Sequence, residues 1–95
     1  MEVSIPELRK IADKLFSHLE KNGTTVVDIP HDFYWYLSEK NLYDPYITPS
    51  EFEMGQLTDD SAELKRILNG EAEPVAFGLV WLASILRAIG EKLVA

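Results

Sequence analysis

Asp28, His31 and Asp32 fall within five residues of one another, and two carboxylates with an imidazole are a donor set that binds divalent metals. The spacing matches no established ligand motif and is not the repeated oxygen pattern of a calcium loop. The competing reading is a solvated turn that carries acids and a surface histidine. Two acid pairs, Glu51 with Glu53 and Asp59 with Asp60, have the chemistry for general acid–base work. Asp59 and Asp60 directly follow Thr58 at the start of a helical pattern, however. Acids there are stabilised by the helix dipole, so capping accounts for them without catalysis. The five glycines are scattered, so no phosphate-cradling loop is present. The serines show no nucleophile elbow. With no cysteine there is no thiol nucleophile, zinc thiolate site or disulfide. The expectation is a non-enzymatic protein with no catalytic residues and no cofactor, in which Asp28, His31 and Asp32 are the metal candidates.

A different chemistry is concentrated in the middle of the chain. Six of the ten aromatic residues lie between Phe33 and Tyr46. Tyrosine and tryptophan join a large apolar body to a polar tip and are enriched at binding hot spots. Phe33 and Trp35 are expected to pack in the core. Tyr34, Tyr36, Tyr43 and Tyr46 are divided between core and surface. The same region is the acidic part of the molecule. Residues 28–64 contain nine acids against one base, Lys40, whereas the segments on either side are close to neutral. Such a field repels nucleic acid, whose affinity comes from cations meeting phosphates, and steers a basic protein surface toward it. Tyr34, Trp35, Tyr36, Tyr43 and Tyr46 are therefore the expected partner-binding anchors. Asp32, Asp44, Glu51, Glu53, Asp59 and Asp60 are the expected rim.

The elements that must position these residues are mostly helical. Ser4 and Glu7 have the spacing of a capping box. Ile5, Leu8, Ala12, Leu15 and Leu19 then recur at helical steps until Asn22-Gly23. A second helix is predicted from Thr58 or Asp59 to Asn69, with Leu64, Ile67 and Leu68 on its apolar side. Pro74 is expected in the first turn of a third helix, where Val75, Leu79, Leu82, Leu86, Ile89 and Leu93 step by four, three, four, three and four. This helix is apolar nearly all round and needs neighbours on most sides. Packing against Leu8, Leu15, Leu19, Leu64 and Leu68 of the same chain is the favoured expectation, and a homodimer through residues 75–93 is the alternative. Thr24 to Ile29 is β-branched and ends at Pro30, which suggests a short strand. Residues 31–37 are expected to be extended, residues 41–49 to form a loop, and 51–54 a second short strand.

The predicted class is thus mainly α, with helices over about 5–22, 59–69 and 75–93 and possible β elements at 24–29 and 51–54. A small single-domain α+β fold is the alternative. Ninety-five residues make one domain, 1–95, near the lower end of the usual size range. No basic start followed by an apolar run opens the chain and no apolar run reaches membrane-spanning length. The absence of cysteine suits a reducing interior, so a cytoplasmic location with no membrane partner is expected. The pattern DFYWYLSEKNLYDPY, followed by PSEFEMGQLTDD and a helix, resembles a family of small acidic bacterial proteins of unassigned function. The resemblance implies a bacterial source, supplies no catalytic residues, and covers most of the chain from Asp28 onward. By size and charge the chain is similar to immunity proteins, which mask basic toxin domains. The function expected is an immunity- or adaptor-like interaction module. The alternatives are a small-ligand or metal-binding protein and a homodimeric structural protein.

Overall fold

The structure, a computed structural model, describes residues 1–36 and 53–94, with only the backbone described for Tyr36 and Glu53. The fold is mainly helical with a short two-stranded antiparallel sheet. Helix α1 spans Ile5–Lys21, strand β1 Phe33–Tyr36, strand β2 Glu53–Gln56, helix α2 Leu57–Leu68 and helix α3 Gly78–Val94.

α1 begins as its sequence dictates. The Glu7 N–H donates to Ser4 Oγ at 3.3 Å, and Pro6 lies in the first turn. It ends at Asn22, and Gly23 takes a left-handed φ of 87°. The Thr24 N–H then returns to the Leu19 carbonyl at 2.9 Å, closing the helix C-terminus. Residues 24–29 form no strand. Among the described residues the only sheet is β1 with β2, so this β-branched stretch has no ladder partner. It forms no regular element, with Val27 and Ile29 half-buried.

β1 and β2 pair with Phe33 opposite Gln56, Tyr34 opposite Gly55, Trp35 opposite Met54 and Tyr36 opposite Glu53. The second strand was expected two residues earlier, and α2 follows it without a break. α2 begins at Leu57 rather than 59, and the residue before it, Gln56, makes no side-chain capping bond. The cap comes from far away in sequence. The Leu57 N–H donates to the Asp32 carbonyl oxygen at 2.7 Å and the Thr58 N–H to Asp32 Oδ1 at 2.8 Å. The Thr58 hydroxyl and the Gln56 amide donate to Asp32 Oδ2 at 2.9 and 2.8 Å. Thr58 was expected to cap the helix itself; it is instead a first-turn residue that Asp32 caps.

α3 starts at Gly78, later than the expected 75. Pro74 lies before it, and Gly78, Leu79 and Val80 bond back three residues, to Val75, Ala76 and Phe77, in a tight lead-in turn. α3 packs on α2 with a face of modest side chains. Gly78 and Ala88 are buried, as is Leu57 at the start of α2, and a Cβ on Gly78 would stand 3.6 Å from the Ile67 side chain. The leucine seam faces elsewhere. Val75, Leu79, Leu82, Leu86 and Leu93 are exposed, and so are Leu8, Leu15 and Leu68, their expected partners. α1 has no buried residue at all. The expected packing of the seam against α1 is therefore not what the structure shows. Close approach favours the small residues of α3 for the contact with α2, which leaves its large ones outside.

Asp32 also sets the pH response of this fold. Partial burial pushes its carboxyl up, but the bonds from the Thr58 N–H, the Gln56 amide and the Thr58 hydroxyl, with the charge of His31, outweigh that and hold it below its ordinary 3.8. A carboxyl depressed in the folded state adds stability above its unfolded value and loses it as pH falls through the folded one. Urea midpoints should therefore fall as pH drops from about 5 to about 2. Asp32→Asn, which turns an amide group toward donors, should lower the midpoint at neutral pH and flatten that acid slope. An unchanged slope in the variant would mean that Asp32 is not the group titrating.

Candidate functional site

The strand pair divides the aromatic run by its period of two. Tyr34 shares a face with Gly55, its cross-strand partner. A Cβ added at Gly55 would overlap the Tyr34 ring, so the glycine makes room for the tyrosine to lie across the ribbon. Tyr34 is half-buried, and its hydroxyl donates to Asp60 Oδ2. Ser84 Oγ of α3 donates to the same oxygen at 2.6 Å and lies 2.7 Å from the Trp81 carbonyl oxygen. Asp60 is only 8% exposed. Its carboxylate thus joins β1, α2 and α3 at one point, and two donors compensate the loss of water.

Phe33 and Trp35 project from the opposite face. They are 58% and 66% exposed, and Met54, across from Trp35, is 53% exposed. The expectation that Phe33 and Trp35 pack in the core is overturned: Gly55 makes room for the Tyr34 ring, and Phe33 and Trp35 on either side of it are left exposed. Tyr34, left between core and surface by the sequence, and Asp60, expected on the rim, hydrogen-bond to each other, and both also line the groove described below. Asp59, next to Asp60, is exposed and remains at the surface. Tyr43, Asp44, Tyr46 and Glu51 lie outside the described residues, as do the side chains of Tyr36 and Glu53.

Between the ribbon and α3 runs a groove of ≈ 570 Å³. Phe33, Trp35 and Met54 line it from the ribbon, and Phe77, Val80 and Trp81 from α3 and its lead-in turn. The Phe77 and Trp81 rings meet edge-on, 5.4 Å between centroids and 69° between planes. Asp59, Asp60 and Ser84 add polar atoms, and Arg87, also on the wall, is engaged by Glu91 at 2.9 Å. Met54, Phe77 and Trp81 were not among the expected site residues. A glycine inside a strand pattern marks close approach of another group, and that signal at Gly55 would have pointed to this wall.

The proposed metal donors do not converge. Both oxygens of Asp32 accept hydrogen bonds within the fold, and Asp28 and His31 are exposed beside it. Among the described residues no three His, Asp or Glu side chains form a set that could hold a metal ion. Nor is any helix among them long and apolar enough to cross a membrane.

The Tyr34–Asp60–Ser84 network carries a direct test. Tyr34→Phe removes one of two donors from a buried carboxylate and should destabilise the fold by about 1–3 kcal/mol. Gly55→Ala should do the same by a different route, displacing the ring, at about 1–3 kcal/mol. In urea denaturation the double variant should lose clearly less than the sum, because both changes break one contact. Full additivity would separate the glycine from the tyrosine. Compared with known proteins, the chain matches no family model, and no curated protein or solved structure matches it significantly.

Proposed function

We propose that this protein is a non-enzymatic interaction module of a bacterial cytoplasm that uses its acidic, aromatic middle, residues 28–64, to bind a basic protein surface, as an immunity or adaptor protein does. The observation that carries the reading is the exposed apolar ribbon face. Phe33, Trp35 and Met54 stand out of the core beside Phe77 and Trp81, within a segment that has nine acids and one base. Large apolar side chains exposed together in a groove mark a binding surface more often than scattered ones do. A partner bearing an apolar anchor flanked by lysine or arginine fits both features. The anchor enters between Trp35 and Trp81, and the cations meet Asp59 and the acids around it. The anchors supply affinity, whereas exposed rim acids individually contribute little and act mainly on the association rate.

The groove's volume favours a second reading, a small-ligand protein, because ≈ 570 Å³ lies within the range of small-molecule sites. An apolar ligand there should raise the melting temperature in proportion to its occupancy, and Trp35→Ala should abolish that rise.

The interaction reading is tested by capturing proteins from bacterial lysate on the immobilised chain at low and high salt. A basic protein should be retained at low salt and shed at high salt, since screening shortens the field to within about 10 Å at 0.1 M. Trp35→Ala should weaken its binding at least about tenfold, as a hot-spot truncation does, and leave the melting temperature unchanged because the residue is already exposed. Retention indifferent to both salt and Trp35→Ala would refute this surface as the binding site.

A further inference from the structure

Asp60 is the buried charge among the described residues, and no cation among them pairs with it. Arg66 is held by Glu63 and Arg87 by Glu91. Tyr34 and Ser84 supply neutral hydroxyl donors, and both reach Oδ2. Oδ1 accepts no hydrogen bond among the described residues. It is not sealed in either, because no buried side-chain oxygen among these residues lacks a partner. Oδ1 therefore has access to the surface, and Asp60 lines the ribbon groove. A buried carboxylate is costly unless an opposite charge meets it. Here the place for that charge opens into a groove of ≈ 570 Å³.

The walls suit a cation carried on an organic stem. Phe33, Trp35, Phe77 and Trp81 set their rings along the groove. Ring faces attract ammonium and guanidinium groups, and the same rings take up the alkyl stems that carry them. The groove's own cation, Arg87, is drawn to Glu91 at 2.9 Å, whereas Asp59 and Asp60 stay negative and unpaired among the described residues. We infer that the groove takes a lysine or arginine side chain of the partner protein, its stem along the rings and its charged end at Asp60 Oδ1. The inference rests on the interaction reading above and deepens it, since one side chain is then both the apolar anchor and the cation. An uncharged anchor leaves Asp60 without a counter-charge. A bare metal ion gains nothing from the stem-binding walls and finds no set of three donors among the described residues.

The chain's two tryptophans, Trp35 and Trp81, both line the groove, so intrinsic fluorescence of the full chain reports its occupancy. Blocked lysine (Nα-acetyl-lysine methylamide) should bind roughly tenfold tighter than blocked norleucine, which has the stem without the charge. Asp60→Asn keeps an oxygen for Tyr34 and Ser84 but removes the charge. It should abolish that preference with the helical circular dichroism retained. Asp59→Asn removes the same charge from the exposed rim and should keep most of the preference. Trp35→Leu, at an exposed position with Trp81 left as the fluorophore, should weaken blocked lysine by roughly threefold to tenfold through the lost ring. Norleucine binding as tightly as lysine would overturn the inference and leave the interaction reading with an uncharged anchor. Equal losses in Asp59→Asn and Asp60→Asn would also overturn it, since a diffuse field would then be acting in place of a contact at Asp60. Tetramethylammonium binding tighter than blocked lysine would overturn it in favour of a free organic cation. Fluorescence unmoved by every probe up to about 0.1 M would remove the groove as a site, and the interaction reading with it.

Discussion

The first amides of any helix have no partner inside it, and their satisfaction has to come from elsewhere. In α2 the first two are satisfied by one residue, Asp32, whose carbonyl and carboxylate take the N–H groups of Leu57 and Thr58. The sequence separation of about 25 residues is what gives this interaction its reach. It fixes the entry of β1 against the start of α2, and β2 runs straight into α2, so the ribbon and the helix become one body. The second acid, Asp60, then ties Tyr34 of β1 to Ser84 of α3. Two carboxylates of the acidic segment are thus internal fasteners. Exposed acids, among them Asp28 and Asp59, remain free to act as a field.

Much of this was legible in the sequence where the cause is local. Ser4, Glu7 and Gly23 mark the ends of α1 by capping chemistry that operates within a few residues. The apolar periods of α2 and α3 give their positions to within three residues. Where the cause is distant, the sequence was read wrongly. Thr24 to Ile29 has strand propensity, but a strand needs a neighbour and none among the described residues pairs with it. The run Phe33-Tyr34-Trp35-Tyr36 shows no alternation in hydrophobicity, so nothing local says which face is inner. Gly55 decides that from the other strand, by accepting the Tyr34 ring. Asp32, weighed as a metal candidate against a solvated turn acid and placed on the rim, caps α2 because its acceptors meet a helix start remote in sequence.

The resulting molecule has a packed centre, formed by the ribbon, α2 and α3, and apolar surface outside it in two places. The ribbon groove combines aromatic walls with the acids Asp59 and Asp60. The α3 seam and the α1 stripe are exposed apolar surface as well.

Hydrogen exchange at the start of α2 tests the central role of Asp32 most directly. First-turn amides of an uncapped helix exchange at the rate of fraying termini. The Leu57 and Thr58 amides should instead be protected to the same degree as amides in the middle of α2, and Asp32→Ala should release Thr58 first. If both amides exchange rapidly in the wild-type chain while the rest of α2 is protected, Asp32 does not cap the helix and the ribbon is not anchored as described.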